Sequence, residues 1–194
     1  MDFDDLSMII IGVVGQIASG KGVLVDYLVK GHGFAAFSLS TIVHEELEKR
    51  GIKKFTRQDL QDMGDELRKK YGRNVLARRT IERVKSQDKV AIEGIRNPAE
   101  IEYLKTLPNF TLMAVKANRQ LRYERLLKRH KPWDPRTWEV FLSVDHRDLG
   151  IGQQAVGQQV EKCLAYADHT VTNNGSIEKL DRKIEKLLKK ILNF

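Results

Sequence analysis

The sequence predicts an α/β fold in which helices cover both faces of a five-stranded parallel sheet. Five short runs rich in β-branched and aromatic residues alternate with segments whose apolar residues recur every three or four positions. Parallel strands need long crossovers, and those crossovers bury both faces of the sheet. The run Met8–Val14 is almost continuously apolar, as expected for a central parallel strand. The 194 residues have the length of one domain, placed at residues 1–194.

Local signals set the predicted elements in order. Thr56 is predicted to cap a helix, and Gly72 is predicted to end it. Asn97–Pro98 opens another helix, because proline loses no needed donor at the first helical position. Asp134–Pro135 carries the same start signal, and Ser176 opens the last helix. The predicted strands are Met8–Val14, Phe34–Ser38, Lys89–Glu93, Phe110–Lys116 and His169–Asn173.

The composition excludes several classes of protein. With 41% hydrophobic residues in patterned segments, the chain is too apolar to be disordered throughout. The single Cys163 excludes an internal disulfide framework or a cysteine-based zinc site and fits a reducing compartment. No apolar run is long enough to span a bilayer, and acidic residues precede Met8, so a cytoplasmic protein without a membrane partner is expected. The formal charge of +8 predicts an anionic partner.

A phosphate-binding loop follows the first strand. The stretch Gly15-Gln16-Ile17-Ala18-Ser19-Gly20-Lys21-Gly22 matches seven positions of the P-loop motif and has glycine where serine or threonine is usual. In such a loop, backbone N–H groups surround an anion, and the lysine reaches the terminal phosphates. Nucleotide contacts are therefore expected from Gly15, Ala18, Ser19, Gly20, Lys21, Gly22 and Val23.

An acid ends the predicted third strand. Glu93 lies at the carboxyl edge of the sheet, where ligands bind in open α/β folds. The strand is similar to the Walker B strand, and this resemblance implies that Glu93 orients a water of Mg²⁺ and that Arg96 pairs with an acceptor phosphate. Neither Gly22 nor Val23 offers a hydroxyl, so phosphates, water and a carboxylate are expected to hold the ion. The alternative is a surface turn with an exposed ion pair.

These motifs resemble those of the P-loop nucleotide kinases. Gly20-Lys21-Gly22 resembles the adenylate-kinase loop, although Val23 stands where that family has threonine. The stretches Ile42–Leu47 and Ala167–Ser176 are similar to dephospho-coenzyme A kinases and their archaeal relatives of unassigned function. The resemblance covers nearly the whole chain. It implies a P-loop three-layer sandwich with a small helical lid, and ATP and Mg²⁺ as cofactors.

A row of arginines follows the fourth predicted strand. Arg119, Arg122, Arg125 and Arg129 recur at three- and four-residue steps and share one helical face, which is either a solvated basic face or an anion site. The family's lid-flanking helix implies that Arg125 and Arg129 cover the adenine and clamp the transferred phosphoryl group.

The resemblance also implies a lid and a return loop at residues 129–159. Within this segment, Arg147 is expected to swing onto the phosphates, whereas Asp145 and Asp148 hold arginines in place. The last strand of the related kinases leads to a loop near the nucleotide base. A base contact from Asn173 is implied there, with turn chemistry as the alternative.

Residues 39–87 are expected to bind the acceptor. Dephospho-coenzyme A kinases place an aspartate, a general base for a ribose hydroxyl, where this chain has Ser38 and Ser40. The adenylate-kinase likeness puts an arginine at His44, and Arg68 or Arg57 is expected to replace it. Predicted acceptor contacts are Ser38, Ser40, His44, Arg68 and Arg96. For His44, the alternative is a helix-face residue without a role.

The favoured function is therefore an ATP-dependent kinase of nucleoside or deoxynucleoside monophosphates. A phosphate acceptor needs no general base, because its oxygen is already anionic. A dephospho-coenzyme A kinase that acts on the ribose 3′-hydroxyl is the first alternative. A nucleotide- or nucleic-acid-binding P-loop protein without kinase activity is the second. Nucleic acid is less favoured than a small phosphorylated acceptor, because no aromatic platform interleaves with the arginines.

Overall fold

A single parallel sheet forms the centre of the protein. The computed structural model describes residues 8–191. The strands are β1 (Ile9–Gly15), β2 (Ala35–Ser38), β3 (Lys89–Glu93), β4 (Phe110–Lys116) and β5 (His169–Thr172). They are all parallel and lie in the order β2-β3-β1-β4-β5, so that Ile10 of β1 pairs with Val90 of β3 and Phe110 of β4. The predicted five-stranded parallel α/β fold is confirmed.

The helices surround this sheet. Those in the described part of the chain are α1 (Lys21–His32), α2 (Leu39–Lys49), α3 (Arg57–Tyr71), α4 (Val75–Val84), α5 (Pro98–Leu104), α6 (Arg119–Arg129), α7 (Trp138–Leu149), α8 (Val160–Ala165) and α9 (Ile177–Ile191). The acceptor segment predicted at residues 39–87 consists of α2, α3 and α4. The lid segment predicted at residues 129–159 contains α7 and the loops on either side of it. Within residues 8–191, no helix is long and apolar enough to cross a membrane.

Alternate residues of β1 enter different hydrophobic cores. Ile10 and Val14 pack with residues of α2 to α5, whereas Ile11 and Val13 pack with residues of α1 and α9. All four side chains are at most 1% exposed. A third, smaller cluster joins Ile17 of the loop after β1 to α6 and α7. The chain is therefore a three-layer sandwich, and α7 packs on the phosphate-loop end of it.

The turn signals are mostly confirmed, with one error. Thr56 and Asn97 form capping boxes at α3 and α5, and Gly72 ends α3. Asp134, however, does not begin α7, because that helix starts three residues after Pro135 and is capped by Thr137. The carboxylate of Asp134 is bound instead by two arginines. The short helix α8 was not predicted, since the glutamine-rich segment before it carries no start signal.

A buried ion pair fixes α7 to α6 and to the phosphate loop. Asp145 of α7 accepts hydrogen bonds from Arg122 of α6 at 2.6 Å and 2.9 Å. Arg122 also donates to the carbonyl of Ile17 at 3.2 Å. Both side chains of the pair are at most 1% exposed. The position of the lid segment therefore depends on charges that water does not reach.

We expect Asp145→Ala to destabilise the fold by about 3–5 kcal/mol, because it leaves the Arg122 guanidinium buried without its partner. Urea unfolding of the variant measures this change. Glu185→Ala is the control, since it removes the exposed ion pair with Lys189 and should hardly change the free energy of unfolding. Equal losses in the two variants would contradict this account.

Candidate active site

The glycines of the phosphate loop are required by close packing. The loop runs from the end of β1 at Gly15 to the start of α1 at Lys21. A side chain at Gly15 would overlap the carbonyl of Val115, and one at Gly20 would overlap the side-chain amide of Asn173. Gly20 also has a φ of 105°, which favours glycine. The predicted P-loop conformation thus follows from its neighbours as well as from the motif.

Lys21 folds back across the loop. Its ammonium donates to the carbonyls of Gly15 at 2.8 Å and Gln16 at 3.0 Å. Burial, and after it the positive charge of Arg96, lower the pKa of Lys21 to about 8. A bound phosphate would oppose both effects by restoring a negative partner. The protonation state of Lys21 is therefore sensitive to an anion in the loop.

Asn173 and Arg125 brace the loop from the end of β5. The side-chain amide of Asn173 donates to the carbonyl of Ser19 at 2.9 Å. Arg125 donates to the backbone oxygen of Asn173 at 3.0 Å and to its side-chain oxygen at 3.3 Å. The hydroxyl of Ser19 is buried and has no hydrogen-bond partner among the described residues. These contacts hold the loop in shape, and the predicted nucleotide contacts of Arg125 and Asn173 stay predictions.

Two cavities meet at Lys21, and a third adjoins one of them. A loop cavity of about 320 Å³ is lined by Ala18, Ser19, Gly20, Lys21, Gly22, Val23, Glu93, Arg125, Arg129 and Lys131. A central cavity of about 110 Å³ is lined by Ile17, Ala18, Lys21, Ser38, Ser40, His44, Arg57, Glu93, Gly94, Arg96, Arg129, Lys131 and Trp133. Beneath it, a deep cavity of about 30 Å³ is lined by residues that include Ser40, Arg57, Gln61, Arg68, Arg96, Asp148 and Gln158.

The central cavity is strongly cationic. Among the described residues that line it, Glu93 is the one carboxylate, and the cations are Lys21, Arg57, Arg96, Arg129 and Lys131. Burial lowers the pKa of Arg57, and the nearby Arg96 adds to the effect. Like charges this close repel one another unless anions lie among them. The central cavity is therefore built to receive a negatively charged group.

Two buried carboxylates hold three of these arginines. Asp134 accepts from Arg57 at 2.8 Å and from Arg129 at 2.6 Å and 2.9 Å. Asp148 accepts from Arg96 at 2.5 Å, and its other oxygen has no hydrogen-bond partner within residues 8–191. The prediction that Asp148 holds an arginine in place is confirmed. Asp134 was missed in this role, since its sequence context indicated a helix start.

Most of the predicted acceptor residues meet at the central cavity. The hydroxyls of Ser38 and Ser40 lie 2.8 Å apart, and both side chains line this cavity with His44 and Arg96. Burial, reinforced by Arg57, lowers the pKa of His44, which favours the neutral imidazole.

Two arginines that were predicted to bind phosphate do not line the central cavity. Arg68 reaches only the deep cavity, where it donates to Glu100 at 2.9 Å. Arg147 pairs with Asp62 at 2.6 Å and Asp65 at 2.9 Å and lines none of the three cavities. Its predicted contact with phosphate would require these ion pairs to open. Conversely, Lys131 and Trp133 line the central cavity but were not predicted as site residues. They lie in the irregular turn between α6 and α7, which has no periodic sequence pattern.

Glu93 suits a magnesium ion only in part. Residues 8–191 contain no cluster of three or more histidine, cysteine or acidic side chains that could hold a metal by itself. Glu93 lines both the loop cavity and the central cavity. Apart from its chain neighbours and the backbone of its own helix, no atom of the described residues lies within 4 Å of the position that a Cβ at Gly22 would occupy. Phosphate oxygens and water would have to complete the coordination of Mg²⁺ around Glu93.

The fold and this loop define a P-loop phosphate-binding protein. A family model described as an AAA domain matches residues 14–141, and the chain belongs to this family. It is 31% identical over 189 residues to a UPF0200 protein of Methanothermobacter thermautotrophicus, covering 96% of this chain and 92% of the relative. It is 35% identical over 183 residues to one of Sulfurisphaera tokodaii, covering 94% and 97%. The chain is therefore a member of the UPF0200 proteins.

Solved structures of low identity share the fold. TT1252 from Thermus thermophilus has a TM-score of 0.59 at 20% identity, covering 94% of this chain and 97% of that one. Shikimate kinase from Aquifex aeolicus has a TM-score of 0.55 at 14% identity, with the same coverage. Dephospho-CoA kinase from Campylobacter jejuni has a TM-score of 0.50 at 15% identity, covering 95% and 98%. The resemblance to P-loop kinases is thus confirmed at the level of the fold.

The shifted pKa of Lys21 predicts how nucleotide binding depends on pH. In the ligand-free protein, Lys21 loses its charge as the pH rises through about 8. The affinity for a non-hydrolysable ATP analogue should therefore fall above that pH by up to about tenfold per pH unit. Lys21→Arg should remove this dependence, because a guanidinium stays charged. Titration calorimetry across this pH range tests it, and an identical fall in the two proteins would contradict the assignment.

Proposed function

We propose that this chain transfers the γ-phosphoryl group of ATP to the phosphate of a nucleoside or deoxynucleoside monophosphate. The observation that carries the proposal is the charge of the central cavity, which is lined by one carboxylate and five cations, the P-loop lysine among them. Such a cavity suits two phosphate groups that must approach each other despite their repulsion. The kinase-like fold supports phosphoryl transfer as the class of reaction.

The proposed reaction needs no general base. An anionic oxygen of the acceptor phosphate attacks the γ-phosphorus, and the bond from phosphorus to the β–γ bridging oxygen breaks, so that ADP leaves with the electron pair. Lys21 and the loop N–H groups neutralise the donor phosphates, and Arg129 faces the transferred group. Arg57 and Arg96 hold the acceptor anion. Mg²⁺, when bound at Glu93, supplies further positive charge to the donor phosphates.

One observation favours a hydroxyl acceptor as the second candidate. The free oxygen of Asp148 lies buried at the deep cavity and is a possible acceptor for the proton of an attacking hydroxyl. A kinase that acts on the ribose of dephospho-coenzyme A would need such a base. Against this role, Asp148 is paired with Arg96, and the deep cavity, at about 30 Å³, holds little more than a water molecule. The phosphate acceptor therefore remains our first choice.

A coupled assay of ADP release tests the proposal. We expect turnover with at least one nucleoside or deoxynucleoside monophosphate, and no turnover with dephospho-coenzyme A. Lys21→Ala should reduce the rate at least about 100-fold, because it removes the ammonium that neutralises the donor phosphates in the proposed reaction. An unchanged melting temperature of the variant would show that the fold is intact.

Other outcomes of the same assay would overturn the proposal. Turnover with dephospho-coenzyme A alone would assign the hydroxyl acceptor. ATP hydrolysis stimulated by RNA or DNA, and by no small acceptor, would indicate a nucleic-acid-dependent ATPase. Full activity of Lys21→Ala would show that the loop is not the donor site.

A further inference from the structure

A groove opens beside the central cavity. It lies between the start of α3 and the segment 132–144, and its volume is about 560 Å³. Its lining is Thr56, Arg57, Gln58, Pro132, Trp133, Asp134, Pro135, Arg136, Glu139, Val140, Ser143 and Val144. Arg57 and Trp133 line both the groove and the central cavity. We call this the α3–α7 groove.

The two spaces differ in size and in chemistry. The α3–α7 groove falls within the range of about 300–1,000 Å³ typical of small-molecule sites, whereas the central cavity at about 110 Å³ is well below it. The central cavity is cationic, while the groove has an apolar wall of Pro132, Pro135 and Val140. Val140 is an exposed apolar residue of this wall, with a relative accessible surface of 51%. A ligand that fits both spaces would have a large, partly apolar body and a small anionic end.

An aromatic cluster lies where the groove meets the central cavity. The rings of Phe55 and Trp133 stack with centroids 5.5 Å apart at 27°. His44 contacts both rings, with centroid distances of 5.2 Å, and the ammonium of Lys131 lies over Trp133. Aromatic faces of this kind are the usual stacking partners of nucleobases. The fold therefore brings an aromatic cluster next to the arginines that is not apparent in the sequence, and Trp133 is the member of it that lines the groove.

Polar groups on the rim are available to contact a base edge or a sugar. Gln58 offers an amide, and Ser143 offers a hydroxyl, both on exposed side chains. The carboxylate of Asp134 also faces this region, but Arg57 and Arg129 neutralise it. Glu139 is the second carboxylate of the lining, and its charge is balanced by the cations Arg57 and Arg136, which line the same groove.

We propose that the α3–α7 groove binds the base and sugar of a nucleoside monophosphate, whose phosphate enters the central cavity past Arg57. This inference rests on the proposed function, because it assigns the acceptor's position. The loop cavity, which would hold the donor, shares no lining residue with the groove. The central cavity shares residues with both. Donor and acceptor nucleosides would therefore lie on opposite sides of it, with their phosphates facing each other.

Tryptophan fluorescence tests this placement directly, because the chain has two tryptophans in different clusters. Trp133 lines the groove, whereas Trp138 packs against Tyr123 and Phe141. Trp138→Phe leaves Trp133 as the single reporter, and Trp133→Phe leaves Trp138 as the matched control. Nucleoside 5′-monophosphates should quench the fluorescence of Trp133 in a saturable way and leave that of Trp138 unchanged.

A variant that fills the groove gives a second readout. Val140→Arg places a long charged side chain on an exposed position of the wall, so folding should be unaffected. We expect the acceptor KM or Kd to rise at least about tenfold while the donor KM stays unchanged. Val29→Arg, on exposed α1 surface, is the control and should change neither constant.

The outcomes separate this inference from the proposed function. Phosphoryl transfer to a monophosphate without quenching of Trp133, and with an unchanged acceptor KM in Val140→Arg, would overturn the inference and leave the function standing. Saturable quenching without transfer to any acceptor would support the nucleotide groove and refute the kinase activity. Quenching by a non-hydrolysable ATP analogue alone would place the donor base in the groove and overturn the inference.

Discussion

Repulsion among five cations around a space of about 110 Å³ is the constraint on which the rest of the site depends. Glu93 is the one carboxylate among the described residues that line the central cavity, and the protein adds two carboxylates outside this lining that bind the arginines. Asp134 binds Arg57 and Arg129 together, and Asp148 binds Arg96. The arginines keep their positions without a ligand, while the cavity keeps its positive potential. An incoming phosphate then meets charges that need little rearrangement, which is the arrangement that favours phosphoryl transfer.

Buried carboxylates also connect parts of the chain that are far apart in sequence. Asp134 joins Arg57 at the start of α3 to Arg129 at the end of α6. Asp145, through Arg122, joins α7 to the carbonyl of Ile17 in the phosphate loop. On the other side of the loop, Asn173 holds the carbonyl of Ser19. The loop is therefore braced from both α6 and β5, so its backbone N–H groups are fixed before an anion arrives.

The sequence is informative wherever a local rule decides the outcome. The apolar run of β1, the glycine spacing of the loop and the Thr56 cap each act over a few residues, and the strands and most helix ends were predicted from them. Asp134 was misassigned because its partners, Arg57 and Arg129, lie 77 and 5 residues away. Phe55 and Trp133 were missed as a pair for the same reason, since only the fold brings them together. The particular contacts at the central cavity arise from tertiary packing, which no local pattern encodes.

The central claim is that one cationic cavity brings the terminal phosphate of ATP and the phosphate of the acceptor together. Calorimetric binding of a bisubstrate analogue, two nucleosides joined by five phosphates, tests it most directly. Such a compound should bind at least about a hundredfold more tightly than ATP, because it fills the loop cavity, the central cavity and the groove at once. The advantage should disappear in Arg57→Ala. Binding no tighter than that of ATP would contradict the account.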